Sequence, residues 1–189
     1  RCSQLGMMLA KLHLTTVKID LYRKNLLGPE NWLSILKGTN DEKSTLPEGL
    51  KHEAIQHIEH IAASWPSSLP KGVIHGDLFP NNAMFINDRL TGVIDFYFAC
   101  NDFYAYDLAI CLNSWCFEND TNFNSKKAKK LISSYQKIRT LKNEEINALP
   151  ILTQGAAARF FVTRYYDWHH TPPNALVKRH DPIEYWKKI

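Results

Sequence analysis

A length of 189 residues, 44% of them hydrophobic, is enough for one soluble globular domain with a sizeable core. The net charge of +4 is mild and contains no unbroken basic block, since Lys126, Lys127, Lys129 and Lys130 are interrupted by Ala128; this reads as the solvated face of a helix and argues against a nucleic-acid partner. No apolar run is long enough to span a bilayer, and an opening broken by Lys11 and His13 is not a signal peptide, so no membrane association and a cytoplasmic location are expected.

Leu5, Met8, Leu9 and Leu12 recur at helical spacing and predict an amphipathic helix over 3–14, with Ser3 as its cap. The pattern lapses over 15–28. Pro29 opens a short helix carrying Trp32, Leu33 and Leu36. The polar stretch 38–45 reads as a loop. From Pro47, Leu50, Ala54, Ile58, Ile61, Ala62 and Trp65 share one face of a stronger helix, which Pro66 stops. That helix is expected to pack under the hairpin that follows. Its His52, His57 and His60 lack a fourth ligand at a suitable spacing for zinc and read as exposed helical histidines.

Val73 to Phe96 is the stretch that carries chemistry. Val73 and Ile74 lead into a polar loop; Ala83 to Ile86 form a strand, Asn87 to Arg89 a turn, and Gly92 to Ile94 a second strand. His75, Asp77, Asn82 and Asp95 stand at the ends of these strands. The pattern H-x-D-x-x-x-x-N, with an Asp thirteen residues further on after an apolar strand, is what phosphoryl transfer from ATP asks of a protein. In it Asp77 is the base that takes the proton of a substrate hydroxyl, and His75 orients its loop by hydrogen bonding. Asn82 and Asp95 offer hard oxygen ligands suited to Mg2+ held against the nucleotide phosphates. Asp and Asn also favour turns for their own reasons, but the ordered set with apolar strands between its members is hard to explain that way.

Further along, Phe103 to Phe117 reads as a buried helix in which Asp107 is a costly charge unless hydrogen bonded. Ser125 caps a basic helix whose inner face is Leu131, Ile132, Tyr135 and Ile138. Asn143 caps a long helix to about Trp168, bent at Pro150. Its later part sets Arg159 and Arg164 among aromatic residues, where they either stack or grip the carboxylate of an amino-acid substrate. Asp181-Pro182-Ile183-Glu184 forms a capping box ahead of a short terminal helix. Cys2, Cys100, Cys111 and Cys116 show no C-x-x-C and read as core hydrophobes in a reducing compartment. The fold class is α+β, mostly helical, with a small antiparallel hairpin.

Around the hairpin the sequence resembles the small-molecule kinases related to aminoglycoside phosphotransferases and choline kinase, which share the protein-kinase fold. It departs from protein kinases in carrying Phe79 two residues after Asp77, in Phe96-Tyr97 after Asp95, and in having no Ala-Pro-Glu. Within that superfamily HGDLFPNN (75–82), GVIDFYFAC (92–100), YDLAICLNSWCF (106–117), AAARFFVTRYYD (156–167) and DPIEYWKKI (181–189) resemble the homoserine kinases of the bacterial type, although an acidic residue is expected there at Asn81. The resemblance implies ATP-dependent phosphorylation of the side-chain hydroxyl of L-homoserine, on the route to threonine. It also implies that Met84 floors the adenine, that Ile94 lies near the nucleotide, and that Asp107 ties down the catalytic loop from beneath; an Asp107 facing solvent is the alternative. No Gly-rich phosphate loop and no strand-borne Lys precede the motif. Both belong to the smaller lobe of this fold, so the expectation is the larger, substrate-binding lobe as a single domain, nearly inactive alone. The rivals are a kinase for an aminoglycoside, choline or hydroxylated amino acid, and a non-catalytic nucleotide-binding module. The sequence gives no oligomeric state.

Overall fold

Leu5, Leu9 and Ala10 lie at helical spacing and are fully buried, which is why α1 (Cys2–Thr16) forms and seats itself against α5 (Ser125–Gln136), whose Leu131 and Tyr135 are buried with them. This computed structural model describes residues 1–39, 46–119, 121–172, 174–176 and 179–189. Two compact units result: one of Arg1–Asn25 and Pro66–Thr153, the other of Leu26–Trp65 and Gln154–Ile189.

In the first unit the order after α1 is β1 (Lys71–Ile74), a 3-10 turn at Pro80–Asn82, β2 (Ala83–Ile86), β3 (Arg89–Val93), a second 3-10 turn at Phe96–Phe98, β4 (Cys100–Phe103) and α4 (Tyr104–Trp115). Two short strands, β5 (Phe117–Glu118) and β6 (Asn122–Phe123), pair antiparallel and lead into α5. β1 pairs antiparallel with β4, and β2 with β3, so the sheets are small ribbons and helices supply most of the core. Leu108, Cys111, Leu112 and Trp115 of α4 join Leu5, Leu9, Leu131 and Tyr135 in that core.

Close approach of α1 to α5 depends on Gly6, where a Cβ would lie 2.2 Å from the Leu131 carbonyl oxygen. Gly6→Ala is therefore expected to cost about 1–3 kcal/mol, although Ala is the better helix former, because a backbone atom cannot step aside. Urea denaturation of the variant checks this; a variant as stable as the parent would show that the helices can separate without penalty.

The second unit is built from α2 (Pro29–Gly38), α3 (Leu50–Ala63), the later part of α6 (Asn143–His170) and α7 (Ile183–Trp186). Trp32 of α2 is fully buried, meets Trp65 edge-on at 5.3 Å and donates its indole N–H to the Leu27 carbonyl at 2.7 Å. The aliphatic face of α3 is thus buried with α2. The hairpin of β2 and β3 rests instead on α1 and on Trp115, whose ring lies 6.2 Å from that of Phe85, so the expected place of α3 beneath it is corrected. Among the described residues no helix is long and apolar enough to cross a membrane.

Several helix ends differ from the sequence reading, among them the start of α3 at Leu50 and that of α6, where Asn143 is already helical and Glu145 accepts the Lys142 N–H. Ser3 lies inside α1 and bonds Ser134, leaving Arg1 at the cap. Asn124, one residue ahead of Ser125, caps α5 by accepting the Lys127 N–H at 3.0 Å. Before α7 the Asp181 carboxylate accepts the Ile183 N–H, but Glu184 turns to Arg164 and closes no box. The α6 helix runs unbroken through Pro150. Of the loop expected at 38–45, residues 40–45 lie outside the described residues.

Candidate active site

The hairpin turn is Asn87-Asp88, both with positive φ (47° and 59°), as a two-residue type I′ connection requires. One extra residue on β3 shifts the register between Met84 and Phe85, yet Ala83 still pairs with Val93. That pairing, extended by the Ile94 N–H donating to the Asn82 carbonyl at 3.0 Å, sets the start of β2 beside the end of β3. Asn82 and Asp95, thirteen positions apart in the chain, are thereby neighbours at one end of the ribbon. Asp95 itself is left-handed (φ 63°, ψ 65°), a conformation an L-residue adopts at some cost and one that clusters at functional sites.

The Asp77 loop is pinned on every side. Gly76 turns with φ 73°, and a Cβ there would meet the Phe98 carbonyl oxygen at 2.8 Å, so only glycine fits. The Asp77 carbonyl accepts from the Phe79 N–H and from the Asn82 side-chain amide, each at 2.8 Å. That same amide reaches the Asp77 carboxylate at 3.3 Å. The next carbonyl, of Leu78, accepts the Trp115 indole N–H at 2.9 Å. Asp107 is fully buried and takes the His75 N–H at 2.8 Å and the Gly76 N–H at 2.9 Å, so it faces the loop and not solvent.

His75 joins the loop to the hairpin. Its Nε2 lies 3.0 Å from the Ile94 carbonyl, an acceptor only, so Nε2 carries the hydrogen; Nδ1 then accepts the Asp77 N–H at 3.3 Å. The ring is fully buried and tilted against Phe96 at 4.6 Å. One imidazole thus fixes the backbone of Asp77 against the residue that precedes Asp95.

What the arrangement can hold follows from its free lone pairs. Because Asn82 spends its NH2 on Asp77, its carbonyl oxygen is left to accept or coordinate, and the Asp95 carboxylate stands exposed beside it. No group of three or more His, Cys, Asp or Glu side chains that could hold a metal ion exists among the described residues. A buried Asn carbonyl and an exposed carboxylate, both hard oxygen donors, match a divalent ion that completes its shell with water and phosphate oxygens, and they do not match zinc. Strand alternation turns Met84 and Ile94 to the face opposite the core, where they are 50% and 49% exposed.

Arg159 and Arg164 lie on α6 in the second unit. The Arg159 guanidinium sits 3.9 Å from the Phe160 ring and is nearly buried. Arg164 pairs with Glu184 at 2.6 Å and covers the Tyr185 ring at 4.5 Å. His52 bonds Gln56, and His57 stands edge-on to Trp186. Residues missed by the sequence reading are His13, Tyr135, Arg139 and Glu145, which extend behind Asp107. Only a charge buried in an apolar helix signalled that something must lie there.

A fold of mainly helices with an Asp77 loop and an Asn/Asp pair on one hairpin accords with a phosphotransferase, and residues 1–141 match the phosphotransferase enzyme family, to which this chain belongs. It is similar to the homoserine kinases of Rhizobium meliloti (50% identical over 188 residues, all of this chain and 58% of that protein) and Rhodospirillum rubrum (46% identical, 59% of that protein). The chain therefore spans somewhat over half the length of these relatives. Among solved structures, an amicoumacin kinase in complex with AMP-PNP and Ca2+ superposes with a TM-score of 0.71 at 13% identity, covering 99% of this chain and 57% of that one. A choline/ethanolamine kinase family protein from Mesorhizobium loti gives 0.66 at 17% identity, covering 97% and 57%. The resemblance drawn from the residues around Asp77 is met by these relatives, and the structures share the fold.

Proposed function

We propose that this chain forms the larger, substrate-binding lobe of an ATP-dependent kinase whose acceptor is the side-chain hydroxyl of L-homoserine. The observation that carries it is the direct contact of Asp77 with Asn82 at the end of the ribbon that also bears Asp95. Near-50% identity to homoserine kinases along the whole chain supports that acceptor over choline or an aminoglycoside. Asp77 accepts a hydrogen bond from the acceptor hydroxyl and takes its proton as the oxygen bonds to the terminal phosphorus. The bond to the bridging oxygen breaks and ADP leaves with its electron pair. Asn82 and Asp95 would hold Mg2+, which when bound neutralises charge on the nucleotide phosphates. Met84 and Ile94 would line the adenine side, their exposure leaving room for it. The pairing of Arg164 with Glu184 and the stacking of Arg159 on Phe160 support packing roles for both over the grip on a substrate carboxylate.

The test is ADP release by the full-length protein offered homoserine, choline or an aminoglycoside with Mg2+-ATP. Turnover with homoserine, and a phosphate ester on its side-chain oxygen by 31P NMR, is expected. Turnover with another alcohol but not homoserine would move the acceptor, and Mg2+-ATP binding without any transfer would support a non-catalytic module. This chain by itself, with no Gly-rich phosphate loop in its sequence, is expected to be nearly inactive.

A further inference from the structure

The end of α6 and the chain that follows it wall a cavity of about 380 Å3, the small end of the range for ligand sites. It lies wholly within the second unit and shares no residue with the site around Asp77. Arg164, Asp167 and His170 line it from the helix, Arg179 and His180 from the chain beyond. Pro172 and Ala175 give it an apolar side.

The charges on this wall are not matched to one another. Arg164 is spent on Glu184 at 2.6 Å and on the Asp181 carbonyl at 3.3 Å. Arg179 donates to the Thr171 carbonyl, and among the described residues no carboxylate pairs with it. Asp167 in turn pairs with no Lys or Arg among the described residues; its charged neighbour is the His170 ring. Although Asp167 stands exposed at the mouth, the protein around it still raises its carboxyl above the ordinary 3.8, and His170 offsets that only in part. A carboxylate resting against a guanidinium would be lowered instead. Arg179 and Asp167 thus line one cavity as opposite charges that do not close on each other. Nδ1 of His170 lies 2.7 Å from the Tyr166 carbonyl, an acceptor only, so Nδ1 carries the hydrogen and the neutral ring keeps its lone pair on Nε2. The Asp167 side of the wall therefore offers acceptors, and the Arg179 side offers donors.

We infer that this cavity binds a free α-amino acid with a short side chain, its carboxylate on the fork of Arg179 and its ammonium on Asp167 with His170 beside it. A simple anion would meet Asp167 unpaired, and a simple cation would meet Arg179; a zwitterion satisfies both. The planar guanidinium is shaped to hold a carboxylate by two hydrogen bonds, as a lysine in its place would not be. The recognised chemistry is shared by the acceptor proposed above and by any other small amino acid, and the test separates the two. The site itself does not rest on the kinase reading.

Four probes offered to the full-length protein dissect the two charges. They are L-homoserine, L-α-aminobutyrate (the same skeleton without the hydroxyl), γ-hydroxybutyrate (without the ammonium) and 3-aminopropanol (without the carboxylate). In calorimetry both amino acids are expected to bind at least about tenfold more tightly than either truncated probe, and to shift the proton NMR signals of the His170 and His180 rings. Arg179→Gln should weaken both amino acids about tenfold or more while leaving 3-aminopropanol within about twofold. Asp167→Asn should weaken them likewise while sparing γ-hydroxybutyrate. No amino-acid binding, parental affinity in both variants, or binding that leaves His170 unmoved would overturn the inference. Competitive inhibition of homoserine phosphorylation by α-aminobutyrate, with KM for homoserine raised in both variants, would make the occupant the acceptor. Non-competitive inhibition with KM unchanged would make it a second amino acid. A parent that phosphorylates no alcohol, yet loses amino-acid binding in the variants, would remove the kinase reading and leave the site standing.

Discussion

Asp77→Ala in the full-length protein should lower phosphoryl transfer by about a hundred- to ten-thousandfold, with nucleotide affinity within about threefold of the parent. The separation follows from the backbone. Asn82 donates to the Asp77 carbonyl at 2.8 Å and to its carboxylate at 3.3 Å, so losing the carboxylate leaves the shorter bond, and with it Asn82, in place. Trp115 and Asp107 continue to hold the flanking residues. What disappears is the carboxylate proposed to take the hydroxyl proton. Turnover by Asp77→Ala within tenfold of the parent, measured by ADP release, would remove Asp77 as the base.

The second large effect is expected on stability. Asp107→Ala leaves the His75 and Gly76 amides and the His13 ring without an acceptor in a fully buried place, at a cost of about 3–5 kcal/mol. That is a large part of the total for an ordinary domain. Burial alone would raise the Asp107 carboxyl, but the hydrogen bond from His13, the electrostatic attraction of that ring and the hydrogen bonds from the two amides together outweigh it and hold the group below its ordinary 3.8. A depressed folded-state value means that the carboxylate stabilises the fold above the unfolded-state value. That contribution is lost as the pH falls through the lower native one. The gap between the parent and Asp107→Asn in urea denaturation should therefore be full near neutrality and narrow as the pH drops below about 4. A gap that does not narrow would mean that Asp107 is not held as a carboxylate.

The site was legible in the sequence because its members are local. Asp77, Asn82 and Asp95 lie within one loop-strand-turn-strand unit, whose apolar alternation and turn residues dictate which strand ends meet. Periodicity likewise gave α1, α2 and α4 to within a few residues. It shows that a helix has a face to bury but not against what, which is how α3 came to be set beneath the hairpin. Caps shifted by one residue where two candidates adjoin, as Asn124 does Ser125, because the neighbour that enters the first turn decides. The hydrogen bonds of His13 to Asp107 and Tyr135 join residues 94 and 122 positions apart in the chain, and no local pattern encodes such pairings. The pairing of β1 with β4, Lys71 opposite Phe103, is of the same kind.

Mn2+ binding by electron paramagnetic resonance, with and without ATP, tests most directly whether the ribbon end is a metal-nucleotide site. The full-length protein should bind Mn2+ tightly only when ATP is present, and Asn82→Leu and Asp95→Asn should each weaken that binding about tenfold or more. Parental binding of Mn2+-ATP by both variants would contradict the site described for Asp77, Asn82 and Asp95.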